Sequence, residues 1–288
     1  MNYDLILGIL NIVLISTTPL VFAGIGELVT EKSGVLNLGL EGLMLVGAVS
    51  GFISLVITGN YFYSFILSIL SGVVLSSIFA FFVLRLLTNQ IATGLALTIF
   101  GIGLSAMLGK KFAGTPINGL SPYYLIIFSF ILVFLINYIL YKTKAGLIIR
   151  AVGENHHSAY ALGYDVIKTR YLTIIFGGVM CSLAVFYISV CYAPMWQEGM
   201  TAGRGWIALA LVVFATWKPW RLLVGAYIFG GVAIMQMNLQ AFGVKLPGQF
   251  FNMMPYLATL MVLVFISSNK VRLKLNAPSS LTMPFIKD

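Results

Sequence analysis

Few residues in this chain are equipped to act on a polar molecule, and they stand out because their neighbours are apolar. Asn37 and Glu41 fall within residues 34–42 (GVLNLGLEG), and Glu198, Thr201 and Arg204 within residues 197–206 (QEGMTAGRGW). A carboxylate at membrane depth costs on the order of a few kcal/mol and persists where it faces a cavity or a partner. Asn37 and Glu41 therefore either line a polar path or sit at the edge of a solvated turn. Glu31 and Lys32, just before them, read as that solvated turn. In the second stretch the glycines let a helix break and present backbone groups to a ligand. Arg204 and Glu198 are spaced to neutralise one another across the break, and Thr201 to hydrogen-bond a polar solute. Gln236, Asn238 and Gln240 recur in one later apolar run. Amides there more often bond neighbouring helices, and Gln236 is carried forward as a path candidate.

Other chemistries find no support. His156 and His157 have no further His or Cys nearby, and zinc wants three or four ligands, so no metal is expected. Cys181 and Cys191 would lie about 15 Å apart along one helix, too far for a disulfide, and read as apolar filler. No paired carboxylates, nucleophile elbow or Ser–His–Asp pattern occurs, so no catalytic residue or cofactor is expected. A GxxxxGK[ST] loop is also missing, so the chain has no Walker loop with which to hydrolyse ATP.

Those residues need a scaffold, and composition says which kind. The chain is 60% hydrophobic and 9% charged, with a mean hydropathy of +1.00, where soluble domains carry about 25% charge. It is an integral membrane protein set in lipid. Apolar runs near twenty residues make the spans helices rather than barrel strands. The fold class is all-α, a polytopic helical membrane protein with about nine membrane elements: residues 5–26, 43–58, 61–84, 91–109, 123–141, 172–192, 206–217, 222–242 and 253–268. The first lacks the basic flank of a cleaved leader and is expected to remain as a span. Two elements are broken. Residues 206–217 make ~18 Å of helix against a ~30 Å hydrocarbon core and must borrow from 194–205, while 43–58 extends back through 34–42. Each follows the first long helix of its half, which predicts an inverted internal repeat with the pathway at the breaks. Trp196, Trp206, Trp217 and Trp220 read as an interfacial aromatic belt.

The longest interruption is residues 141–171, where Lys142, Lys144, Arg150, Lys168 and Arg170 outweigh Glu154 and Asp165. The net charge of +9 is thus a loop signal, not a nucleic-acid one. The Lys/Arg bias puts this loop, Lys218 and Arg221, and the basic stretch 269–275 in the cytoplasm, with the N-terminus outside. Lys110 and Lys111 run against that bias. Within the loop a short helix is expected over 155–162, ended by Gly163 and with Glu154 near its positive end. Two turns of helix do not hold alone in water. This one either docks into a partner or rests on its own bundle.

Residues 146–166 (GLIIRAVGENHHSAYALGYDV) resemble the cytoplasmic coupling segment of permease subunits in bacterial ABC importers. The resemblance is to the ribose and branched-chain amino acid permease group. Residues 31–48 (EKSGVLNLGLEGLMLVGA) and 199–220 (GMTAGRGWIALALVVFATWKPW) resemble its nucleoside and simple-sugar subgroup. The likeness runs from about residue 18 to 266, and His156 stands where the family commonly has proline. It implies one permease domain over 1–288, with a coupling loop at 142–170 and a cytoplasmic tail at 269–288, in the bacterial cytoplasmic membrane. It implies a non-catalytic subunit working with a second permease subunit (a copy or a paralogue), an ABC ATPase subunit and an extracytoplasmic solute-binding protein or lipoprotein. Gly153, Glu154, Asn155, His156, Ser158, Ala159, Leu162 and Gly163 would contact the ATPase. The solutes implied are nucleosides first, then simple sugars such as ribose. The competing reading is an ion-coupled secondary transporter using Glu41 or Glu198.

Overall fold

Long apolar runs leave the backbone one way to satisfy its N–H and C=O groups away from water within a single segment, the α-helix, and the fold follows them. The computed structural model describes residues 3–241 and 276–286, together with four isolated positions between them (253, 257, 261 and 264). Ten α-helices are described: α1 (Tyr3–Lys32), α2 (Leu40–Thr58), α3 (Tyr61–Leu84), α4 (Gln90–Gly109), α5 (Tyr123–Lys142), α6 (Lys144–Glu154), α7 (His156–Ala161), α8 (Val166–Phe186), α9 (Arg204–Phe214) and α10 (Pro219–Ala241). A π-helical turn, Tyr187–Tyr192, prolongs α8. Six of the helical segments are long and apolar enough to cross a membrane, and α9 and Pro219–Met235 are shorter apolar helices. The ninth expected element, 253–268, lies outside the described residues except at those four positions. The basic stretch 269–275 lies outside them entirely.

Start signals legible in the sequence are used. Asn60, Asn89 and Asp165 accept hydrogen bonds from the Phe62, Ala92 and Lys168 amides, capping α3, α4 and α8. Two boundaries differ from expectation. α1 continues past Gly26 to Lys32. α2 begins only at Leu40, so residues 34–39 are not helix. Side-chain bonds replace the helical ladder there: Glu27 Oε1 accepts from the Asn37 amide at 2.9 Å, and Asn37 Oδ1 from the Gly39 amide at 2.8 Å.

The first and second halves run in opposite directions. α1 and α8 lie antiparallel: Tyr187 Oη donates to the Ile15 carbonyl at 2.8 Å, and Thr30 Oγ1 to the Thr173 carbonyl at 3.0 Å. Small residues let the helices close. Gly26 lies against Gly177 and Met180, and Gly72 of α3 against Gly178 and Ser182. The counterpart of the α3–α8 approach is Gly230 of α10 against Thr17 of α1. Thus α1–α2–α3 and α8–α9–α10 are oppositely directed, while the expected repeat of spans one to four with six to nine includes 253–268, which lies outside the described residues but for four positions. One end of the bundle gathers Lys32–Gly34, α6, α7, the start of α8 and residues 276–286. The other gathers residues 113–118 and 194–196, which pair through two isolated β-bridges. Trp196 is buried under this far end, against Gly109, rather than in an interfacial belt.

Candidate functional site

The two broken segments meet at Glu41. This residue lies in the first turn of α2, and its carboxylate reaches the start of α9. Oε1 accepts from Thr201 Oγ1 at 2.5 Å and the Gly203 amide at 2.9 Å, and Oε2 from the Gly205 amide at 2.7 Å. The first amides of a helix lack intrahelical partners and carry its positive dipole end. A carboxylate from another helix satisfies both needs. Gly203, at φ 79°, takes the left-handed turn that opens α9, and a Cβ on Gly205 would strike the Glu41 backbone and carboxylate. Glu41, Asn37 and Thr201 are all buried. The structure thus brings together Glu41 and Thr201, two of the residues singled out for a polar path, while Asn37 is bonded to Glu27 and Gly39.

The others stand apart. Glu198 is exposed. Arg204 does not pair with it: its Nη1 donates to the Met200 and Thr201 carbonyls, and its guanidinium lies over the Tyr192 ring, 5.6 Å from the centroid. The side chains of Gln236, Asn238 and Gln240 lie outside the described residues.

A second tie was not legible. Glu31 and Lys32, expected in a solvated turn, are buried. Trp217 Nε1 donates to Glu31 Oε2 at 2.6 Å, so Trp217 is buried rather than interfacial. Arg221 donates to Thr216 Oγ1 at 2.6 Å in the same turn. α9 is therefore held at both ends by carboxylates of the first half, by Glu41 at its start and by Glu31 just beyond its end. The available signal was the i, i+4 spacing of Glu27 and Glu31, which continues one face of α1.

At the near end, α7 forms close to its expected bounds. Asn155 caps it by accepting from the Ser158 amide at 3.0 Å, and Gly163 leaves it at φ 88°. The helix rests on its own bundle with one face. Ala159 packs with Val152, Val166 and Phe285 and His156 is buried against the Phe285 ring, while Ser158 and Leu162 face outward, the latter 76% exposed. Gly153 is buried against the Lys32 carbonyl, with no room for a Cβ. Of the residues expected to contact a partner, Gly153, His156 and Ala159 are thus inward-facing. Glu154, Asn155, Ser158, Leu162 and Gly163 are outward-facing. His156 Nδ1 lies 3.3 Å from Arg170 Nη2. Burial, with the Arg170 guanidinium and His157 beside it, pushes His156 down to about 4.

The comparisons with known proteins follow the whole fold. The chain is 35% identical to a putative glucose ABC transporter permease of Haloferax volcanii, over 98% of each chain. It is 29% identical to a guanosine ABC transporter permease of Bacillus subtilis over 95% of each. It is 27% identical to a nucleoside ABC transporter permease of Lactococcus lactis, over 87% of this chain and 89% of that one. No solved structure matches it. Residues 9–266 match the family described as branched-chain amino acid transport system permease component, and the chain belongs to that family of membrane permeases.

Proposed function

We propose that this chain is the membrane-spanning subunit of an ATP-driven importer for nucleosides or simple sugars, energised by a separate ATPase subunit. The observation that carries the reading is the end-to-end likeness to relatives named as glucose, guanosine and nucleoside permeases. The fold fits it, since α2 and the short helix α9, from oppositely directed halves, start from one shared point, as in transporters whose halves move against each other. α7 is the ATPase contact, through Glu154, Asn155, Ser158, Leu162 and Gly163, while Gly153, His156 and Ala159 seat it. A second permease subunit, a copy or a paralogue, completes the path, and an extracytoplasmic binding protein delivers the solute. The α7 end faces the cytoplasm and the N-terminus lies outside.

In this reading Glu41 does not itself hold solute. Its oxygens are engaged by three donors, so it holds the half-helices together at the path. Trp206, exposed at the start of α9, and Arg204, half-buried there with its Nη1 on the Met200 and Thr201 carbonyls, are the side chains placed to meet solute. The ion-coupled alternative is disfavoured on the same ground: Glu41 is engaged and Glu198 sits on an exposed turn. The test is uptake of radiolabelled nucleosides and sugars into vesicles carrying the reconstituted complex. Uptake should need ATP and the ATPase. Uptake driven by an ion gradient in vesicles lacking the ATPase would overturn the reading.

A further inference from the structure

The C-terminal segment, residues 276–286, is bonded into the α7 region along its length. The Ser280 amide donates to the Gly153 carbonyl at 2.8 Å, Ser280 Oγ to the Glu154 carbonyl at 3.2 Å, and Ser279 Oγ to Glu154 Oε2 at 3.1 Å. The Thr282 amide donates to the Gly34 carbonyl at 3.2 Å, so the segment also reaches the turn between α1 and α2. Lys32 Nζ donates to the Asn276 carbonyl at 2.8 Å, and Arg170 Nη1 to the Met283 carbonyl at 2.9 Å. Near its end Phe285 is buried against the rings of His156, His157 and Tyr160, with centroids 5.5–5.8 Å apart. Helix α7 therefore rests partly on this segment.

The outward surfaces of the two are continuous. Between them lies a groove of about 520 Å³, with Glu154, Asn155 and His157 on one wall and Ser279, Met283 and Pro284 on the other. Apolar side chains project from both: Leu162 is 76% exposed, Ile286 59% and Met283 52%. Exposed apolar groups on a polar rim, at an end of the bundle rich in charge, mark a protein contact more than a lipid-facing wall. The same segment is bonded to Gly34, and Arg170, which holds Met283, also donates to the Ser33 carbonyl at 3.1 Å. A load applied here reaches the α1–α2 break through hydrogen bonds and not through a free tail.

We propose that the C-terminal segment is the second half of the ATPase docking surface, so that the ATPase seats on α7 and residues 276–286 together. This rests on reading α7 as the ATPase contact, and the experiment separates the two. In the complete complex, with Cys181 and Cys191 replaced by alanine, Leu162→Cys and Ile286→Cys are each derivatised with a maleimide–succinimidyl ester cross-linker. Both should yield adducts with the ATPase subunit. An adduct from Leu162→Cys alone overturns the proposal and leaves the α7 reading standing. Adducts from neither overturn both. A second variant guards against a merely structural effect of the tail, because it changes only the side chain of Ile286, which is exposed. Ile286→Asp should weaken ATPase affinity about tenfold, the loss expected of one apolar contact at an interface, and Ile286→Leu should restore most of it. Unchanged affinity in Ile286→Asp overturns the proposal.

Discussion

The Glu41 carboxylate accepts three hydrogen bonds, all from the start of α9. The three donors are a hydroxyl and two backbone amides, and each prefers a full negative charge. Glu41→Gln keeps the shape and replaces one oxygen by an amide group that cannot accept. At least one buried donor then loses its partner, at a cost of about 1–3 kcal/mol. The expected outcome is a lower thermal unfolding midpoint for the purified permease, with slower uptake and intact membrane insertion. A midpoint equal to the wild type would show that the α2–α9 tie carries no load. Glu41 and Thr201 were legible because polar groups inside apolar runs are expensive, but not that they would meet, since 160 positions separate them. Glu31 was misread for the same reason. ELVTEKSG looks like a turn on local grounds, and what buries it is Trp217, from the other half. Local pattern reports where a charge is unusual, while its partner is set by tertiary packing.

At the scale of elements, the helices were legible and their breaks less so. The apolar runs located the helices, and short length located α9. The start of α2 was blurred because residues 34–39 are apolar enough to read as helix, yet side-chain bonds from Glu27 and Asn37 hold them in a non-helical turn. α7 was legible from its cap and terminal glycine, but its bracing by Phe285 was not, because nothing near 156–160 signals a ring from the far end of the chain. That brace has a pH dependence whose sign follows from His156. Its folded value, about 4, lies below the unfolded ~6.5, so the folded chain binds fewer protons there. The stability of the α7–tail packing is then fully present above the unfolded value and is lost as pH falls toward 4. Protonation places an imidazolium beside Arg170 of α8 and His157, with Glu154 at the groove as the nearby opposing charge. A spin label at Ser279→Cys should become more mobile between pH 6.5 and 4. The change should vanish in His156→Gln. A label equally immobile at both ends of that range would exclude His156 as the group responsible.

At the scale of the molecule, the inverted repeat and the charge distribution make one statement about sidedness. Because α1 and α8 run antiparallel, the end of α1, the loop containing α7, the start of α8 and the turn after α9 come to one end. That end carries Lys32, Arg85, Lys142, Lys144, Arg150, Lys168, Arg170, Lys218 and Arg221. The far end carries Lys110 and Lys111, with Glu198 on an exposed turn. Basic residues in short loops are retained on the cytoplasmic side, so the proposed orientation, with the α7 end inside, predicts a labelling pattern. In a background of Cys181→Ala and Cys191→Ala, the variants Lys144→Cys and Ser279→Cys should react with a membrane-impermeant maleimide only in inside-out vesicles. Asn118→Cys and Gln197→Cys should react only in right-side-out ones. All four positions sit on elements whose placement at one end or the other follows from described hydrogen bonds, so the labels report orientation and not local folding. The reverse pattern would put α7 and the C-terminal segment outside the cell, beyond reach of any ATP-hydrolysing partner. The inverted pair of broken helices would then have to be driven by a gradient across the membrane.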